Sequence, residues 1–148
     1  MSNSKGYAAA AADKPLGPFA FDRREPGPTD VQIEIAYCGV CHSDLHTARN
    51  EWKNTIYPCV PGHEIVGKVS KVGAKVKNFK PGDLAGGGCH VGSCGTCSEC
   101  NDGLENYCNS MVLTYNSPDP GMPGQVTYGG YSNRIVISLC NGWPRTRI

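Results

Sequence analysis

The sequence predicts a mainly β, barrel-like domain rich in turns, and three observations carry that prediction. Valine outnumbers leucine, 11 to 6, a bias toward strands. The 19 glycines and 11 prolines make up about a fifth of the chain, against roughly an eighth in average proteins. Short alternating apolar runs are separated by Gly/Pro turns, with little room for helix.

At 148 residues the chain has the length of one ordinary domain. Its net charge of +1 argues against a nucleic-acid binder or an acidic tail as the main theme. No run approaches roughly 18 apolar residues, so no membrane-spanning helix is expected. The alanines from Ala8 to Ala12 lack the apolar core of a signal peptide, and the expected location is the cytoplasm. Leu, Ile, Val and Phe are scarce, and a thin core needs staples. Nine cysteines in a reducing compartment read as metal ligands rather than disulfides.

The elements follow in order. Pro15, Pro18, Pro26 and Pro28 forbid a long helix in residues 1–30. Val31, Ile33, Ile35 and Tyr37 alternate with Gln32, Glu34 and Ala36, which predicts a half-buried strand broken at Gly39. A short helix is expected over 44–50. Residues 65–72 read as a strand, with Gly67 at a bulge or a close approach. Lys80-Pro81-Gly82-Asp83 has the residues of a type II turn. Gly86 to Gly88 reads as flexible, residues 115–125 as a long irregular loop, and residues 131–137 as the last strand.

Residues 89–110 hold five cysteines and almost no aliphatic side chains. Cys94, Cys97, Cys100 and Cys108 follow C-x2-C-x2-C-x7-C. The short gaps bring successive thiolates to one side of a tight turn, and the long gap lets the chain return with the fourth. This is the donor set of a closed, tetrahedral structural zinc site, whose binding energy would fold the lobe. An iron–sulfur cluster is the sharper rival, but its bacterial run ends C-x3-C-P, whereas here the last gap is seven and Asn109 follows Cys108.

A second group of donors follows the first predicted strand: Cys38, Cys41, His42, Ser43, Asp44 and His46, with His63 and Glu64 further on. Neither segment closes a metal site alone. Together they could form an open zinc site with a position left for water or substrate. Asp44 is a candidate to take the second ring proton of a ligand histidine, and Ser43 and His46 could pass a proton to solvent. The bland readings are a small buried Cys41 and a surface His63.

At these residues the chain resembles the zinc-containing alcohol dehydrogenases of the medium-chain dehydrogenase/reductase family. Gly62-His63-Glu64-x2-Gly67-x5-Gly73-x2-Val76 fits that family's signature at every fixed position. The stretches 38–46 and 57–64, Gly103-Leu104-Glu105-Asn106-Tyr107-Cys108 and the loop from Thr114 to Pro118 are similar to the cinnamyl-alcohol dehydrogenase branch, which includes bacterial NADP-dependent aldehyde reductases. The resemblance covers roughly residues 14–137. It implies a GroES-like β-barrel catalytic domain over 1–137, with the zinc lobe at about 89–110 and an unpatterned tail at 138–148. It implies a catalytic zinc on Cys41 and His63 with Glu64 beside it, and a structural zinc on Cys94, Cys97, Cys100 and Cys108. It further implies a proton relay through Ser43 and His46, His42 near the cofactor pyrophosphate, and Trp52 at the substrate pocket. The implied reaction is reversible oxidation of an alcohol to an aldehyde with NADP or NAD, and the implied parent is a homodimer acting on a small-molecule alcohol or aldehyde.

The family's Rossmann domain has no counterpart in these residues. Only Gly86 and Gly88 begin a G-x-G-x-x-G, and Val91 occupies its sixth position. The family's third protein ligand to the catalytic zinc is a cysteine further downstream; Cys140 resembles its context only faintly. The sequence therefore reads as a truncated or frame-shifted product of a longer dehydrogenase gene, with little or no activity by itself. The alternative is a non-enzymatic zinc-binding β-barrel module.

Overall fold

A computed structural model describes residues 2–139. The architecture is mainly β, as predicted, with eight strands in three sheets among the described residues. Strands β1 (Ser2–Ala8) and β2 (Gly17–Arg23) pair antiparallel as a hairpin. Strands β3 (Asp30–Gly39), β4 (Glu64–Val72), β5 (Leu84–Gly87) and β8 (Arg134–Ser138) form one antiparallel sheet in the order β5-β4-β3-β8. Two short strands, β6 (His90–Gly92) and β7 (Val112–Leu113), bracket the cysteine-rich lobe. The helices are short: α1 (His42–Ala48), α2 (Ser98–Asn101) and one 3-10 turn (Glu105–Tyr107).

The N-terminal hairpin was not legible among the prolines. Phe19 and Phe21 mark it, packing with Tyr128 at ring-centroid distances of 5.7 and 4.5 Å. This small aromatic cluster includes Ala8 and Val60 and sits apart from the main core. The main core lies on the four-stranded sheet, where Val31 and Ile33 of β3, Ile65 and Val69 of β4, and Ile135 of β8 are buried together with Val91 of β6.

The predicted alternation along β3 holds only in part. Gln32 is buried, with its amide donating to Ser70 Oγ at 2.9 Å. Tyr37 is 77% exposed. The reason is a bulge: Ile35 pairs with Gly67 and Tyr37 with Val66, so Ala36 has no opposite number and the phase of the strand shifts. Gly67 is a close approach, since a Cβ there would meet Glu34 O and, at 2.8 Å, Ile33 Cγ2. The Lys80–Asp83 turn closes through Asp83 N–H to Lys80 O at 3.1 Å. Gly86 and Gly87, read as flexible, are instead paired in β5 with Val66 and Ile65. The irregular loop at 115–125 is tied across its neck by Thr127 N–H to Ser117 O at 2.7 Å and Asn116 N–H to Thr127 O at 2.9 Å.

Two candidate metal centres

The four-cysteine lobe is built locally. Cys94 lies in the loop after β6, Cys97 caps the N-terminus of α2, Cys100 lies within α2, and Cys108 follows the 3-10 turn. All four sulfurs lie within 4.8 Å of one another. The Cys94–Cys108 and Cys94–Cys100 sulfur separations are 3.6 and 3.9 Å. Four sulfurs each about 2.3 Å from one zinc would sit about 3.8 Å apart, whereas a disulfide would require about 2.05 Å. Backbone donors already face two of the sulfurs. Cys94 Sγ accepts from Thr96 N–H at 3.5 Å and Cys97 N–H at 3.4 Å, and Cys108 Sγ from Ser110 N–H at 3.3 Å. The Thr96 amide, then its hydroxyl and the Cys97 amide, bring the Cys94 thiol down to about 6. The arrangement fits a structural zinc in donor type, number and spacing.

The second centre is assembled from distant segments. Cys41 is the N-cap of α1, His63 lies just before β4, and Glu64 is the first residue of β4. Pairing of Cys38 with Ile65 and of Gly39 with Glu64 brings the ends of β3 and β4 together. Cys41 Sγ, one His63 nitrogen and a Glu64 oxygen then lie within 4.8 Å of one another. His63 is buried and Glu64 exposed. The mixed donor set and open side fit a zinc site that leaves room for a further ligand.

Asp44 organises this centre. Its buried carboxylate accepts from Cys41 N–H and Gly62 N–H, each at 2.9 Å, and lies 3.4 Å from His63 Nδ1. The first contact is a helix N-terminal reach-back from the third helical residue to the cap. Gly62 is required for its backbone, at φ +99°, and for space: a Cβ there would lie 2.7 Å from Tyr131 Cδ1 and 2.9 Å from Cys38 Sγ.

The remaining predicted residues cluster around α1. Ser43 Oγ donates to Cys41 Sγ at 3.2 Å. His42 and His46, one turn apart, stack with ring centroids 4.8 Å apart. His46 Nδ1 pairs with Glu51, and Trp52 packs 5.2 Å from the His46 ring. Trp52 is 54% exposed. Cys140 lies outside the described residues.

Two site residues were missed. Tyr115 stacks on His63 with ring centroids 5.8 Å apart, and its hydroxyl reaches the side chains of Ser43, Asp44 and Thr47. Tyr131 donates its hydroxyl to Asp44 Oδ2 at 2.9 Å. Burial, and then the Asp44 carboxylate, hold Tyr131 well above the ordinary phenol range; burial does the same for Tyr115. The sequence placed Tyr115 in a matching loop and Tyr131 at a strand, and neither position carries a local signal for contact with Asp44.

Comparison with known proteins identifies the family. Residues 27–141 match the family described as "Alcohol dehydrogenase GroES-like domain". The chain belongs to that family. It is 62% identical over 133 residues to aldehyde reductase YahK of Escherichia coli (strain K12), covering 90% of this chain and 38% of that protein. It is 55% identical over 143 residues to cinnamyl alcohol dehydrogenase 2 of Rauvolfia serpentina, covering 94% and 39%. Among solved structures, the cinnamyl alcohol dehydrogenase SbCAD4 of Sorghum bicolor superposes with a TM-score of 0.89 at 47% identity, over 93% of this chain and 39% of the other. The Helicobacter pylori CAD complexed with NADP(H) gives a TM-score of 0.88 at 46% identity, over 92% and 39%. The chain thus spans under two-fifths of the length of these relatives. No helix among the described residues is long and apolar enough to cross a membrane.

Proposed function

We propose that this chain is the catalytic, metal-bearing part of an NADP-dependent zinc alcohol dehydrogenase or aldehyde reductase of the cinnamyl-alcohol type, acting on a small-molecule alcohol or aldehyde. The observation that carries the reading is the convergence of Cys41, His63 and Glu64 at the joined ends of β3 and β4. Similarity to proteins named cinnamyl alcohol dehydrogenase and aldehyde reductase supports the same reaction class.

A zinc ion held by Cys41, His63 and Glu64 would supply Lewis-acid polarisation of an alcohol or carbonyl oxygen. The chain's own residues then have three tasks. Asp44 orients His63 by facing its Nδ1, which leaves the other ring nitrogen for the metal. Ser43 and His46 carry a proton between the reacting oxygen and solvent, and Glu51 holds the His46 ring from outside. His42 stands exposed at the first position of α1, where a cofactor phosphate can meet its ring. The four-cysteine lobe has a structural task, since its four thiols leave no position open for substrate.

The zinc-to-protein ratio of the purified 148-residue chain tests this reading. A ratio near two supports both centres. A ratio near one, abolished by Cys97→Ser, supports the non-enzymatic zinc module instead. The chain alone is expected to show little or no turnover, because its sequence carries no dinucleotide fingerprint. Steady NADPH-dependent reduction of an aromatic aldehyde would overturn that expectation.

A further inference from the structure

Besides the Tyr115 side chain, the Asp44 carboxylate gathers contacts from three further parts of the chain. Cys41 N–H comes from the helix cap, and Gly62 N–H and His63 Nδ1 come from the approach to β4. The Tyr131 hydroxyl comes from a position 87 residues further along. The first three belong to the segments that bear the candidate ligands, and Tyr131 belongs to neither. Its ring nevertheless lies over Gly62, whose N–H Asp44 accepts, and its backbone N–H donates to Pro61 O at 3.0 Å. Tyr131 therefore grips the ligand-bearing segments by packing, by backbone pairing and by its hydroxyl.

The two Asp44 oxygens divide the work. Oδ1 faces Gly62 and His63, and Oδ2 faces Cys41 and Tyr131. A carboxylate can rotate about its terminal torsion over a broad range. Donors on both oxygens remove that freedom, and with it the freedom of the imidazole that faces Oδ1. We propose that Tyr131 is a positioning residue of the Cys41–His63–Glu64 centre, its hydroxyl locking the Asp44 carboxylate so that His63 and Cys41 are held in ligating geometry. This rests on the reading that the centre binds a metal ion.

The test is Zn2+ affinity at that centre, measured by chelator competition on the 148-residue chain with the four-cysteine lobe already filled. Tyr131→Phe keeps the ring over Gly62 and removes only the hydroxyl. Partners that orient ligands from outside typically change metal affinity by about 10–100-fold, and Tyr131 acts one step further out. A loss of about tenfold is expected in Tyr131→Phe, with retention at the four-cysteine lobe unchanged. In an Asp44→Asn background the same substitution is expected to add little, since coupled residues are non-additive. Should Asp44→Asn fail to fold, Co2+ loaded into the centre gives a second readout, and its ligand-field bands should shift in Tyr131→Phe.

Unchanged affinity and unchanged Co2+ bands in Tyr131→Phe would overturn the proposal. So would an equal loss at both centres, or an undiminished loss in the Asp44→Asn background, because either marks a general structural effect. If the unsubstituted chain holds only the lobe's metal, the metal reading of the centre fails and the inference fails with it. That outcome differs plainly from two bound ions and an indifferent hydroxyl.

Discussion

The two cysteine-bearing centres of this chain are built in opposite ways. The lobe draws Cys94, Cys97, Cys100 and Cys108 from one short stretch that contributes little to the core beyond Val91 at its entrance. The other centre draws Cys41 and His63 from separate segments, joined by a strand pair and by the hydrogen bonds of Asp44. In the lobe the ligands hold the backbone. At Cys41 and His63 the backbone and Asp44 hold the ligands. A site of the first kind needs its metal in order to exist. A site of the second kind is a feature of the folded sheet and survives metal loss.

The largest expected effect breaks the comparison at the lobe. Cys97→Ser, or exhaustive chelation, should release residues 93–110 into rapid amide exchange while β3 and β4 stay protected. Apparent zinc binding energies of structural sites are about 10–16 kcal/mol, far beyond what this lobe can bury. Hydrogen exchange read residue by residue checks it. Protection of the lobe after the metal is gone would show that the two centres are alike.

The next effect falls on the prebuilt centre. Asp44→Ala strands the buried Gly62 N–H and the Cys41 N–H. Loss of such charged, buried acceptors should cost about 3 kcal/mol. Denaturant unfolding of the metal-free chain is the decisive measurement, because the cost should appear without metal. A third substitution sharpens the point. Gly62→Ala meets both a positive φ and the Tyr131 ring, and should cost about 2 kcal/mol. Its Co2+ bands at Cys41 and His63 should change while the lobe's do not.

The same contrast explains what was legible in the sequence. The lobe could be read from spacing, since its ligands are neighbours and its glycines mark the turns. Donor chemistry offered Cys41, His63 and Glu64 as one of several readings and the family resemblance singled them out, because spacing alone does not say that residues 41 and 63 meet. Asp44 was legible as a partner for a ligand histidine, but its other contacts were not. Tyr131 and Tyr115 were silent: their roles come from where distant chain returns, not from any local pattern. Tyr37 failed for a related reason. Alternation assigned it to the buried face, and one unpaired residue, Ala36, reversed the phase. Gly86 and Gly87 looked flexible by composition, yet pairing with β4 overrode that preference.

The smallest expected effect concerns a cysteine that belongs to neither centre. Cys59 is 2% exposed and pairs through its backbone with Ala9, beside Val60 of the small aromatic cluster. Burial, and to a lesser degree Asp44, push its thiol up to about 12. The folded chain therefore keeps the Cys59 proton that the unfolded chain gives up near its ordinary value of about 8.5. The stabilising contribution is complete below that value and is lost as pH rises toward 12, at up to about 1.4 kcal/mol per pH unit. Cys59→Ala should lose less stability than the unsubstituted chain between pH 9 and pH 11, with the two slopes alike at pH 6 to 8. Equal slopes throughout would mean that the thiol ionises without unfolding the chain. Burial would then not hold the Cys59 proton as tightly as its 2% exposure implies.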